Sequence, residues 1–190
     1  MKTVELLKDR RSYYDINKEI PVSEEKVREL VENTTELVPD AFNMKSSRVV
    51  VATGEKHEKL WDNVHKAFEG MVPKEKTDSF KKGYGTVLFF YDMDVVNEHK
   101  DEFELYASNF EDWATQSSGM LQLSVWIGLR ELGIGASLQH YNPVIDKMVR
   151  EMFDVPESWV LKAQMPFGGI GEEPAQKEKE NIWNRVKVWK

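Results

Sequence analysis

Residues 113–133, WATQSSGMLQLSVWIGLRELG, read as one long helix that is nearly free of charge. Within it Ser117, Leu121, Ser124 and Gly128 fall at i, i+4, i+7 and i+11. Small residues therefore return repeatedly to one side, where another backbone could come close. A helix that is small or apolar on most sides has to be buried, and in a chain of 190 residues burial all round predicts a helix shared across a subunit interface.

Moving outward from that helix, residues 94–112 read as a charged helix, and Gly133 marks the stop. GASLQHY (135–141) follows as an extended segment, then PVIDKMVREMF (143–153) as a helix and WVLKAQMPFG (159–168) as a strand. Upstream, RVVVAT (48–53) and TVLFFYD (86–92) are continuous apolar runs, which predict central strands covered on both faces by helices. Between them EKHEKLWDNVHKAFEG (55–70) repeats Leu60, Trp61, Val64 and Phe68 at helical spacing, and VPKEKTDSFKKGYG (72–85) reads as a polar connection. PVSEEKVRELVENTTELV (21–38) is an amphipathic helix with Ser23 as its cap and acids in its first turn. MKTVELLKDRR (1–11) predicts a short helix ending near the arginine pair. The tail RVKVWK (185–190) alternates as a half-covered edge strand does.

Composition removes several function classes. The chain is 41% hydrophobic and 31% charged, ordinary for a globular protein, and its net charge of −7 argues against binding a phosphate backbone. No nucleic acid partner is expected. Charges at Lys2, Glu5, Lys8 and Asp9 interrupt any apolar leader, and no transmembrane run is present, so a cytoplasmic protein with no membrane partner is expected. There is no cysteine, which excludes thiol nucleophiles, cysteine-zinc sites and cysteine-ligated clusters. Any redox chemistry must come from a bound group.

The glycines mislead. GIG (133–135) follows a helix and precedes a strand, the reverse of the order a dinucleotide fingerprint needs. GGIGEEP (168–174) lacks the lysine and hydroxyl of a P-loop and reads as a turn. His57, His65, His99 and His140 are not paired at metal-binding spacing, and GASLQ is not a nucleophile elbow. What remains is a distributed set of cations: Arg10 and Arg11 with Ser12 near one end, Lys177 and Lys179 near the other. Guanidinium, ammonium and hydroxyl donors of this kind suit a phosphate monoester, although Lys–Glu alternation is also the pattern of a solvated face. The loop PDAFNMKSSRVVV (39–51) sets Asn43, Lys45, Ser46 and Ser47 just before a buried strand, where edge hydrogen bonds to a planar heterocycle are commonly made.

Taken in order, DRRSYYD, PDAFNMKSSRVVV, the 113–143 stretch and PFGGIGEEPAQKEK resemble the nitroreductase family of FMN-dependent oxidoreductases, most closely its short-chain subgroup associated with fatty-acid repression or copper induction. The resemblance runs from about residue 6 to the C-terminus. It implies an α+β fold with a central mixed sheet flanked by helices, one domain over residues 1–190. It further implies an intertwined homodimer whose C-terminal strand, 185–189, extends onto the partner's sheet. By the same resemblance Arg10, Ser12, Lys177 and Lys179, with Arg11 nearby, would hold the FMN phosphate and ribityl chain. Asn43 and Lys45 would meet the pyrimidine edge from the second subunit, and Gln139, His140 and Tyr141 would lie along N5 and O4. Related chains often carry Ser at the place of Asp40 and Gln at that of Lys45; here Asp40 could pair with Lys45 and cancel its charge.

That family membership would make the chain an NAD(P)H oxidoreductase working by ping-pong hydride transfer through flavin N5 to nitroaromatics, quinones or similar small-molecule acceptors, with no protein acid or base required. Phe42, Trp113, Met120 and Tyr141 are candidates to line the slot, with core packing as the competing role. Two alternatives stand beside it: a flavin-binding sensor or regulatory protein with little turnover, and a flavin-free interaction module.

Overall fold

The computed structural model describes residues 1–176, 178 and 180–190. Along these residues the order is α1 (Lys2–Asp9), β1 (Ile16–Asn17), α2 (Glu24–Leu37), β2 (Ser47–Thr53), α3 (Gly54–Ala67), α4 (Lys74–Lys81), β3 (Gly85–Asp92), α5 (Met93–Glu102), α6 (Phe110–Glu131), β4 (Gly135–Ala136), α7 (Asp146–Phe153) and β5 (Trp159–Ile170). Short 3-10 segments stand at Ala41–Asn43, Glu104–Asn109 and Ile182–Asn184. Among the described residues no helix is long and apolar enough to cross a membrane.

The fold is α+β. The sheet runs β1-β5-β3-β2, with β4 also paired to β5, and every ladder is antiparallel. Among the described residues it is mixed only through a parallel bridge between Ser12 and Ala136. β3 lies at its centre, and the period of two along it divides the core. Val87 and Phe89 enter one cluster with Val27 and Val31 of α2 and Leu121, Val125 and Leu129 of α6. Leu88 and Phe90 enter a second, with Leu60, Trp61 and Val64 of α3 and Val149 of α7. A third, smaller cluster joins Met44, Tyr91, Val96, Phe110 and Ala114.

Several sequence expectations change here. β2 was expected to be central, yet it is the last strand of the sheet within this chain, and Val51 is 38% exposed. An apolar run reports covered faces; it does not report whether both edges are paired. The supposed polar connection contains α4, anchored by buried Thr77 and Phe80, whose ring meets Trp61 at 4.7 Å. Two buried residues in a lysine-rich turn are too faint a period to announce a helix. Residues 94–112 are not one helix: Phe103 leaves helical geometry (φ −123°, ψ 60°), and a 3-10 turn separates α5 from α6.

GGIGEEP is not simply a turn either, because Gly168 and Gly169 belong to β5. A Cβ on Gly169 would fall on the Glu19 carbonyl oxygen, and one on Gly168 on that of Asn17. The missing side chains let the end of β1 and the residues just after it lie directly against β5. The small residues of α6 are likewise used inside the chain. Gly128 receives Leu30 of α2, and the Ser117 hydroxyl donates to the Pro39 carbonyl at 3.1 Å. The side of α6 carrying Met120 and Leu123 is left exposed, at 44% and 41%. Finally, residues 185–190 form no strand within the chain; Val186, Val188 and Trp189 are exposed.

Candidate functional site

α1 ends as expected beside the arginine pair, with Arg10 as its C-cap in an extended conformation and its N–H on the Leu6 carbonyl. The chain then runs alongside β4: Ser12 bridges to Ala136, and the Tyr13 N–H donates to the Ala136 carbonyl at 3.0 Å. On this stretch the C-terminal segment is tied down. Arg11 Nη2 donates to the Ala175 carbonyl (2.6 Å) and the Tyr13 hydroxyl to Glu173 Oε2 (3.0 Å). The Gly171 and Glu172 N–H groups donate to the carbonyl and carboxylate of Asp15.

The two extremities of the chain thus meet. Between them lies a cleft of about 520 Å³ lined by Lys8, Arg10, Arg11, Ser12, Gln176 and Glu178, among others. Lys177 and Lys179 lie outside the described residues.

Within the cleft the cations have distinct partners. The Arg10 guanidinium sits 4.1 Å from the centre of the Trp126 ring, and Trp126 Nε1–H donates to the Ala136 carbonyl at 3.1 Å. Burial, and then the neighbouring Arg11 charge, lower the Arg10 pKa from its ordinary value. An anion beside both guanidiniums would relieve that repulsion. Arg130 supports the turn from behind, donating to the Asp9 carbonyl (3.2 Å) and lying over the Tyr13 ring. Sequence reasoning missed Lys8, Trp126 and Arg130. Lys8 differs from any other surface lysine only by its place next to the turn, and the other two are 116 or more positions from Arg10.

The second half of the candidate site is the 39–48 loop. Phe42, Asn43 and Lys45 all take left-handed backbone, with φ of 54°, 55° and 52°. For residues with a Cβ this costs roughly 1 kcal/mol or more each, and such strain gathers where side chains must be aimed. Asp40 holds the loop, its Oδ2 accepting from both the N–H (2.8 Å) and the hydroxyl (2.7 Å) of buried Ser46. The expected Asp40–Lys45 pair is therefore not formed. Lys45 lies 3.1 Å from Glu36 instead, and both Asn43 and Lys45 are exposed beside a cavity of about 240 Å³.

Phe42 and Trp113 do come together. Their rings stack at 5.7 Å, and Phe103, Tyr106 and Phe110 complete an aromatic cluster around Phe42. Met120, two turns along α6 from Trp113, is on the same side of that helix. Tyr141 is not with them: its ring packs against Trp61 and Phe68 in the second core, and its N–H donates to Gln164 Oε1. Gln139 exchanges both main-chain bonds with Gln164 (2.7 and 2.9 Å). Of the Gln139–Tyr141 segment, only His140 is exposed.

Within one chain the two halves are far apart. The loop meets α6 at Ser117 and the arginine turn meets it at Arg130. Those positions are separated by ~20 Å along the axis at 1.5 Å per residue.

An antiparallel sheet enclosed by helices on both faces is the fold that this chain shares with solved nitroreductases. The chain belongs to the nitroreductase family, whose model matches residues 7–169. HBN1 of Saccharomyces cerevisiae is 34% identical over 183 residues, covering 95% of this chain and 93% of that protein. The nitroreductase FRM2 of the same yeast is 32% identical over 184 residues, with the same coverage. The nitroreductase CinD of Lactococcus lactis, solved in complex with chloramphenicol, superposes with a TM-score of 0.94 at 39% identity, covering 99% of this chain and 100% of that one. A protein of Exiguobacterium sibiricum solved in complex with FMN is 16% identical and shares the fold, with a TM-score of 0.76 over 98% of this chain and 96% of that one.

Proposed function

We propose that the chain is an FMN-dependent NAD(P)H oxidoreductase acting on nitroaromatics, quinones or similar small acceptors as a homodimer. The observation that carries this is the meeting of the chain ends. A chain of net charge −7 gathers Lys8, Arg10, Arg11 and the Ser12 hydroxyl around one cleft of ligand-binding size. That donor set fits a phosphate monoester. Arg10 and Ser12, with Lys177 and Lys179, would hold the phosphate and ribityl chain. Arg11, which binds the Ala175 carbonyl, would act mainly by closing the C-terminal segment over them.

A dimer answers the separation along α6. On their own chain Asn43 and Lys45 sit toward the other end of α6 from the arginine turn, whereas a second copy could bring its loop to the ring of a flavin whose phosphate the first copy's Arg10 holds. Three features suit such a copy: the unpaired edge of β2, the exposed Met120 and Leu123 side of α6, and the alternating tail 185–189 that finds no sheet in its own chain. Lys45 would then place positive charge by the pyrimidine edge, where negative charge gathers on reduction. Asp40 would fix the loop's aim through Ser46. Phe42, Trp113 and Met120 would form an apolar wall to exclude water and stack a flat acceptor. FMN bound there would supply two-electron hydride chemistry from NADH or NADPH, and nothing in the site calls for a protein acid or base.

The visible spectrum of the purified protein tests this. Flavin bands that bleach with NADH or NADPH and recover over many cycles with a nitroaromatic or quinone support it. Bleaching without turnover favours a sensor, and a colourless protein that cannot be reconstituted with FMN refutes the flavin reading.

A further inference from the structure

We propose that Trp126 is a positioning residue that presents Arg10 to the anionic group of the cofactor. The proposal rests on the cleft being the FMN phosphate site and assigns to an unnominated aromatic the job of aiming its main cation. The indole is held at both ends. Its face carries the Arg10 guanidinium at 4.1 Å, and its Nε1–H donates to the Ala136 carbonyl at 3.1 Å. That same carbonyl accepts the Tyr13 N–H, and Ala136 bridges Ser12. Trp126 therefore fixes Arg10 relative to the backbone that carries Ser12, the other phosphate-facing donor of the turn.

Other groups near Arg10 cannot do this. Arg11 repels it, and Arg130 is engaged with the Asp9 carbonyl and the Tyr13 ring. Glu178 also lines the cleft, so a guanidinium released from the indole has a competing carboxylate within the same cavity. Stacking on a rigid ring keeps the planar fork extended and lowers the entropy lost when it grips a phosphate.

The test is the ratio of FMN to riboflavin affinity, measured by flavin fluorescence quenching on apoprotein, with thermal unfolding as the check on folding. Trp126→Leu is expected to weaken FMN about tenfold, as for loss of a partly buried cation–π contact, and to leave riboflavin within about twofold. Trp126→Phe, which keeps a ring, should retain most of the preference. Trp126→Met, which keeps an apolar wall without a ring, should behave like Trp126→Leu and serves if that variant does not fold. In an Arg10→Ala background Trp126→Leu should add little, since the indole acts through Arg10.

A wild-type chain that bound FMN and riboflavin equally would sink the phosphate assignment and this proposal with it. A wild-type preference that persisted unchanged in the Leu and Met variants would overturn the role of Trp126 alone. So would full additivity with Arg10→Ala.

Discussion

Acidification should destabilise this protein through one buried imidazole. His57 of α3 is 1% exposed, and its Nε2 faces the Lys81 carbonyl at 3.2 Å, so that nitrogen carries the proton. Its Nδ1 lies 2.9 Å from the Thr86 hydroxyl, which itself accepts Trp61 Nε1–H at 2.9 Å. The chain of bonds from Trp61 through Thr86 to His57 is complete only with neutral imidazole, because a ring protonated at both nitrogens would no longer accept the Thr86 O–H. Burial is the main cause of the low folded pKa, about 4 against an ordinary 6.5.

Between those values the unfolded chain binds the proton and the folded one does not. Stability is therefore fully present above pH 6.5 and is lost as pH falls toward 4. The gap between those two values corresponds to about 3 kcal/mol, with a slope of up to about 1.4 kcal/mol per pH unit inside the window. Carboxylates titrate there as well, so the measurement is a difference. Urea unfolding of wild type and His57→Gln would be followed from pH 7 to pH 4.5, where Gln offers one donor and one acceptor without titrating. The wild-type curve should fall more steeply than the variant's. Parallel curves would refute the buried neutral imidazole.

Gly169→Ala should cost about 1–3 kcal/mol in urea unfolding, because the new methyl would fall on the main-chain carbonyl of Glu19, which cannot swing aside as a side chain can. Deleting residues 185–190 should yield monomers that lose FMN during gel filtration, and sedimentation velocity of a still dimeric, yellow truncation would exclude the tail as the strap between subunits. Lys45→Ala should retain FMN but slow its reduction by NADH about tenfold, a modest effect for an exposed cation. Stopped-flow traces matching wild type would remove Lys45 from the electronic role.

Much of the framework was legible in local pattern. Ser23 does cap α2, accepting the Lys26 N–H, and Gly133 does end the long helix in left-handed backbone (φ 76°). The apolar runs that became β2 and β3 also began and ended close to where they were read. Each of these is decided within a few residues, by one cap, one φ angle or one hydrophobic period. The family too was carried by short motifs spread along the chain.

What sequence alone determined is which faces must leave water and which residue types could grip a phosphate. What the tertiary structure decided is who covers those faces: β2 at an edge rather than the centre, Gly128 given to Leu30 rather than to another subunit, Tyr141 inside the core, and Arg10 laid over an indole 116 positions away. Periodicity records that a surface is buried but carries no label for its neighbour. Neighbours are chosen when distant segments close on one another, and that choice depends on the packing of the whole chain rather than on any window of it.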